Sequence, residues 1–364
     1  IGKFEGVQAA TAEIAAGAYT LEAMRQMVTK GLEDGAPSVL TAMAKYHSTE
    51  RMREMINHAM DVVGGRAIQL GPRNFLAIIY RTTPVAITVE GANILTRSLM
   101  IFGQGSMRCH PHLFEELEAL QQEDEQEGLN SFEPLLLAHL GHTSSNMART
   151  LVYGLSGGYS SPLPDDCDDF SAPWYKRINH LSAALATCSD VALGTLGGGI
   201  KRNELLSARL GDIHSEILIA SSILKYRNAQ PQCEVNDAHA LYALQRSLHN
   251  AQQALLAFCD NFPQRWLGLF LRTLCLPLGR RYKAPNDKQI RLLGKLIMEP
   301  NPVRESLKQY VFMSDNPEDA VGRVETTYQM LLDVDSSWQA FSRALSKGKL
   351  GDASTSLDDS LKEA

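Results

Sequence analysis

The sequence has no Cys-x-x-Cys pair among its six cysteines, no Gly-x-Ser-x-Gly, no Walker-type phosphate loop, and no alternating apolar/polar strand pattern beyond one short stretch. Scattered thiols without paired spacing read as buried or free cysteines of a reducing compartment, and exclude a disulfide-stapled scaffold. The missing nucleophile and phosphate motifs argue against a serine hydrolase or a nucleotide-loop enzyme. No apolar run reaches transmembrane length, and no signal peptide is visible. Positive charge is also short, with Lys+Arg 35 against Asp+Glu 41 for a net charge of −6, so nucleic acid is not an expected partner. The chain opens Ile1-Gly2-Lys3 without an initiator Met and is read as part of a longer protein.

Helical periodicity fills the space that strands leave. Leu241, Leu244, Leu248, Ala251, Leu255 and Phe258 recur at three- and four-residue steps, the stripe of a half-buried helix. Leu206, Leu210, Ile213, Ile217 and Leu224 repeat it, as do Val324, Tyr328, Leu331, Trp338, Phe341 and Leu345, and, upstream, Val39, Met43, His47, Met55, Ile56, Ala59 and Val63. The exception is Arg81–Val89, whose β-branched residues and Pro84 predict an extended segment. At 364 residues the chain is long enough for two domains. The expected fold is all-α, with one helical domain over 1–110, a second over 111–346, and a loose polar tail over 347–364. An acidic, Gln-rich stretch at 115–127 and a Gly/Ser/Pro/Asp-rich loop at 156–173 mark the composition shifts.

Few residues offer chemistry. Glu90 sits where a β-branched stretch meets Gly91 and then a helical one, a junction that holds a carboxylate rigidly; spacing alone reads it first as a helix cap. Gly64-Gly65 lets a backbone approach a phosphate without Cβ obstruction, or simply ends a helix. Gly197-Gly198-Gly199 follows no strand and reads as a helix break. His110-Pro-His112 and His139-x-x-His142 lack a third ligand at any recognisable spacing and read as ordinary histidines, so no metal is expected. Residues 265–308 carry ten basic and three acidic side chains around the apolar run Trp266–Leu278, which suits either a core helix or a surface docked on an anionic membrane.

Taken together, Gly2-Lys3-Phe4-Glu5-Gly6-Val7-Gln8, Asp61-Val62-Val63-Gly64-Gly65 and Glu90-Gly91-Ala92-Asn93-Ile94-Leu95-Thr96-Arg97 resemble the C-terminal helical domain of acyl-CoA dehydrogenases. The longer words TVEGANILTRSLMIFGQGSMRCHP (Thr88–Pro111) and LGGGIKRNELLSARLGDI (Leu196–Ile213) resemble the long bacterial form, which has an extra C-terminal helical domain. The resemblance implies FAD-dependent oxidation of medium- or long-chain acyl-CoA to the trans-2-enoyl-CoA, the first step of fatty-acid β-oxidation. It makes Glu90 the base that takes the α-proton, and places Gly64, Gly65, Ala92, Asn93 and Ile94 against the cofactor. It further implies a homodimer, an electron-transfer flavoprotein as electron acceptor, and a cytoplasmic protein that touches the inner membrane peripherally through 265–283. Two positions depart from the family pattern: Val89 stands where an aromatic residue is common, and Asp61 where Gln is. The domains that cradle the flavin are not among these residues, so the isolated chain is expected to be inactive and to bind FAD weakly. The alternative is a non-catalytic helical interaction or membrane-docking module.

Overall fold

The computed structural model describes residues 1–33, 35, 38–314, 316 and 318–346, and among these no strand forms. The expected loose tail, 347–364, lies outside the described residues. The helices run α1 (Glu5–Glu33), α2 (Ser38–Val63), α3 (Gly65–Ile68), α4 (Leu76–Thr88), α5 (Asn93–Leu95), a π-helical stretch (Thr96–Gln104), α6 (Gly105–Cys109), α7 (Leu113–Leu120), α8 (Glu125–Ser156) and α9 (Ala172–Leu196). A 3₁₀ turn (Gly197–Lys201) leads to α10 (Glu204–Ala229), α11 (Glu234–Asp260), α12 (Arg265–Cys275), α13 (Asp287–Leu296), α14 (Pro302–Lys308) and α15 (Ala320–Ser346).

The expected extended segment 81–89 is instead the body of α4. Thr83 and Ile87, four residues apart, share one buried face, and Val89 N–H still reaches the Val85 carbonyl at 3.0 Å. Burial on a 3.6-residue period outweighs the β preference of RTTPVAITV, which is a weak prior. Pro84 removes a single ladder bond without ending the helix.

Two compact units result. The first comprises Ile1–Val62 and Tyr80–Gln309, and the second Val63–Ile79 with the described residues from 310. The core of the first unit draws on both sides of position 110. Tyr19, Met24 and Phe102 pack in one cluster with Trp174, Leu181, Leu210, Ile213, Leu244, Leu248, Leu255 and Phe258. The stripes foreseen on α10 and α11 are therefore this core. In the second unit the α15 stripe behaves differently: Phe341 is buried, whereas Val324, Leu331, Trp338 and Leu345 are exposed. One described helical stretch, Ala172–Lys201, is long and apolar enough to cross a membrane, contrary to the reading of the sequence. It supplies Trp174, Leu181, Ala184 and Cys188 to the core and buries His180 and Asp190 with them, the pattern of a central helix.

Candidate active site

The ladder of α4 ends just before Glu90, and the chain then turns through the left-handed region. Glu90 has φ 55°, the single non-glycine residue with positive φ among the described residues, and Gly91 follows at 86°. An L-residue held there costs about 1–2 kcal/mol, a strain that persists where the surroundings over-determine the backbone and that gathers at functional sites. Ala92, in extended conformation, then caps the N-terminus of α5. The Glu90 side chain is exposed, and among the described residues no basic side chain pairs with it.

What over-determines the turn is a lysine and an asparagine. Lys45 Nζ on α2 donates to the Gly91 carbonyl and to Asn93 Oδ1, both at 2.7 Å. Asn93, 2% exposed, donates in turn to Thr49 Oγ1 and Glu50 Oε1, both at 2.8 Å. Thr96 Oγ1 closes the loop on the Gly91 carbonyl at 3.3 Å. Behind it the π-helical stretch is tied to α10 by Arg97, bidentate on Asp212 at 2.9 and 2.6 Å. π-helical turns recur near functional sites. This one begins six residues after Glu90. Val89, Ile94 and Leu95, near Glu90 in the chain, leave apolar side chains exposed, with Ile94 84% exposed.

A charged cleft of about 470 Å³ lies between α2, the π-helical stretch, α10 and α11, lined by Tyr46, His47, Arg51, Arg97, Asp212, Glu216 and Arg246. Burial, helped by Arg51 and Arg97, drives His47 down to about 3, so it is neutral. Burial and the Asp212 carboxylate push Tyr46 up to about 12. With Arg51 paired to Glu216 and Arg97 to Asp212, the charges cancel locally.

Glu90, Ala92, Asn93 and Ile94 thus form one pinned segment of the first unit, with Ala92 and Ile94 exposed and the Asn93 amide committed inward. Gly64 and Gly65 belong to the second unit. Gly64 takes φ 64° and ψ −139° at the start of the four-residue α3, and a Cβ added to either glycine would meet open space. Gly197–Lys201 form the 3₁₀ turn that closes α9. The run at 265–283 divides into the short α12 and an irregular stretch; Leu267, Leu271 and Cys275 are buried while Trp266, Leu269 and Phe270 are exposed. Lys45, Thr49 and Glu50 carry no signal in the sequence, because their role depends on a contact more than forty residues away. The four histidines set aside from spacing converge, with Glu116 and Asp190, where α7, α8 and α9 meet.

Comparison with known proteins follows this geometry. Residues 107–364 match the model of the acyl-CoA dehydrogenase C-terminal region of bacterial type, and residues 1–101 that of the acyl-CoA dehydrogenase C-terminal domain. In three dimensions the chain is similar to a solved acyl-CoA dehydrogenase complexed with FAD from Bacillus anthracis, with TM-score 0.56 and 16% identity over 82% of this chain. That likeness is one of fold. It covers 49% of the solved chain, so these residues span about half its length.

Proposed function

Because the chain belongs to the acyl-CoA dehydrogenase family, we propose that Glu90 is the base of an FAD-dependent α,β-dehydrogenation of medium- or long-chain acyl-CoA thioesters, giving the trans-2-enoyl-CoA of fatty-acid β-oxidation. The observation that carries this reading is the left-handed, non-glycine backbone of Glu90, at the start of a turn that Lys45 pins through the Gly91 carbonyl and the Asn93 side chain. A carboxylate merely capping a helix needs no such strain.

The residues fit a flavin and an acyl chain. The exposed apolar rim of Val89, Ile94 and Leu95 asks for a cover, and the backbone at Ala92 offers no bulky side chain against a planar ring. Bound there, FAD would accept the β-hydrogen as hydride. Glu90 removes the α-proton, and its backbone N–H, which lies past the last bond of the α4 ladder, would donate to the thioester oxygen as charge develops. Covering the rim excludes water from the carboxylate. Lys45 and Asn93 act as positioning residues: they hold the turn and touch no substrate atom. Gly64 and Gly65, with no Cβ and open space before them, suit close approach of a dinucleotide backbone. Asp61 stays outside this role, since a carboxylate repels a pyrophosphate. The flavin cradle would come from residues other than these, leaving this chain alone inactive and weakly binding. A homodimer and an electron-transfer flavoprotein complete the proposal.

In the natural protein that contains these residues, Glu90→Gln should lower kcat by at least about 10²-fold while flavin absorbance stays at one equivalent. Full turnover in that variant would remove Glu90 from the role of base. A flavin titration of this chain by itself should show no stoichiometric binding.

A second reading concerns location. Trp266, Leu269, Phe270 and Leu278 are exposed beside Arg280 and Lys283, an apolar face with a basic edge suited to peripheral contact with an anionic inner membrane facing the cytoplasm. Co-sedimentation with anionic vesicles that persists in Arg280→Glu/Lys283→Glu would count against it.

A further inference from the structure

We propose that α7, α8 and α9 build a binding site for a divalent first-row transition ion of the zinc class, with His110, His139 and Asp190 as its ligands and Glu116 as the residue that holds His139 in place. The inference is independent of the dehydrogenase reading.

The three ligands come from separate stretches: His110 from the turn before α7, His139 from α8, and Asp190 from α9. One ligand atom of each lies within 4.8 Å of the others. His110 Nε2 is 2.9 Å from Asp190 Oδ1, and His139 Nε2 is 4.0 Å from the same oxygen. The group is sheltered, with side-chain exposures of 8% for His110, 17% for His139 and 3% for Asp190. Two more imidazoles surround it. His112 stacks on His139 at 5.4 Å between ring centres, and His142 lies 5.4 Å from His112 and 6.1 Å from His110.

The proton positions follow from the partners. Glu116 Oε1 lies 2.8 Å from His139 Nδ1 and can only accept, so Nδ1 carries the hydrogen and Nε2 presents a lone pair. That lone pair faces a second acceptor, Asp190 Oδ1, across a gap too long for a hydrogen bond. Two acceptors opposed in this way are satisfied by a cation between them, either a metal ion or a proton on Nε2. Carboxylate–imidazole–metal is also the arrangement that fixes the tautomer and ring orientation of metal-bound histidines. Thr143 Oγ1 donates to Asp190 Oδ2 at 2.9 Å and fixes the carboxylate from its other side.

Metal–ligand bonds of about 2.0–2.2 Å set ligand atoms about 3.4 Å apart in a tetrahedron, so the 4.0 Å pair closes by roughly half an ångström on loading. His110 Nδ1 accepts the N–H groups of His112 and Leu113 at 3.2 and 3.3 Å, which leaves the ring hydrogen on Nε2, donated to Asp190. The ion takes that place. Loading therefore moves the His110 proton to Nδ1, which can then no longer face the His112 and Leu113 N–H groups, so the ring must turn and give up both long backbone bonds for one metal–nitrogen bond. Two imidazoles and a carboxylate suit Zn²⁺, Co²⁺ or Fe²⁺, whereas Mg²⁺ and Ca²⁺ call for oxygen shells. A fourth position is open to water or to His142. Such an ion would clamp three helices together.

The test is a titration of the whole chain, stripped with a chelator, with Zn²⁺ against a chromophoric competitor and with Co²⁺ by visible absorption. One equivalent should bind, the Co²⁺ spectrum should show the intense bands of a four-coordinate N/O site, and Zn²⁺ should raise Tm. His139→Gln and Asp190→Asn should each weaken binding by at least about 100-fold, and Glu116→Gln by about 10–100-fold. The far-UV CD of each metal-free variant should match the parent. No stoichiometric binding by the parent chain would reduce the group to a hydrogen-bonded cluster and overturn the proposal. Undiminished binding in a folded His139→Gln, or binding lost only with His112→Ala/His142→Ala, would do the same.

Discussion

His180 shows how completely a single ring can be committed to its neutral form. Its Nε2 lies 2.8 Å from the Cys275 carbonyl, which can only accept, so that nitrogen carries the hydrogen; Nδ1 then accepts from the Tyr282 hydroxyl at 2.6 Å. A second proton on Nδ1 would force the Tyr282 hydroxyl to reverse from donor to acceptor, in a site 1% exposed beside Arg281. Burial accordingly drives the group from 6.5 down to about 4, and His47 goes the same way to about 3. The consequence for stability has a definite sign. Between the unfolded value near 6.5 and the folded value, the unfolded chain binds a proton that the folded chain refuses, so each histidine makes the fold less stable as pH falls through that window. Above about pH 7 neither contributes a pH dependence. Urea midpoints should therefore drop between pH 6.5 and 4, and His47→Gln should flatten part of that slope while leaving the slope above pH 7 unchanged. An identical slope in that variant would mean that His47 charges freely in the fold.

At the level of elements, one close helix approach is set by a residue with no side chain. At Gly294 of α13 an added Cβ would sit 2.4 Å from the Gln8 carbonyl oxygen and 2.8 Å from its Cα, atoms of α1 backbone that cannot step aside. Gly294→Ala should force α1 and α13 apart and cost about 1–3 kcal/mol by thermal melting. Gly141→Ala, on an α8 face where nothing lies within 4 Å, should instead stabilise by roughly 0.5–1 kcal/mol, since it removes only backbone freedom. The contrast marks what a sequence can carry. The stripes of α10 and α11 were legible because a 3.6-residue period is local, and their residues do form the core. The same period on α15 spelled a helix correctly but not its burial, because whether Trp338 and Leu331 are covered depends on what packs there. Arg81–Val89 was misread because β-branched residues favour strands only when no buried helical face overrides them. Family resemblance is what singles out Glu90, whereas the bonds that hold its turn carry no sequence signal: nothing links Lys45 to Asn93 until the chain folds. For the same reason the histidine pairs looked bland, since the carboxylate that joins them lies 80 positions beyond His110.

Across the whole molecule, the two matched family regions, 1–101 and 107–364, share one core in the first unit, where Tyr19, Met24 and Phe102 pack with the side chains of α9, α10 and α11. An ion pair is sealed into the same junction. Arg51 of α2 and Glu216 of α10 meet at 3.1 and 3.2 Å with side chains 7% and 8% exposed, and Asn250 of α11 adds a bond to Glu216 at 3.2 Å. A buried pair of this kind gains little over apolar packing when both partners are present, because desolvation offsets the attraction; stranding one charge is what costs. Glu216→Leu should therefore destabilise the first unit by about 3–5 kcal/mol, and Arg51→Met/Glu216→Leu should recover most of the loss. Since the core is common to both regions, the loss should appear as one cooperative transition: urea curves read by Trp174 fluorescence, with Trp266 and Trp338 replaced by Phe, and by isotope-edited infrared absorption of α1 and α2 in segmentally labelled protein should shift together. A single mutant that moves one probe and not the other would mean that the regions fold as separate modules joined only at this seam. Full additivity in the double mutant would mean that Arg51 reaches water by another route once its partner is gone.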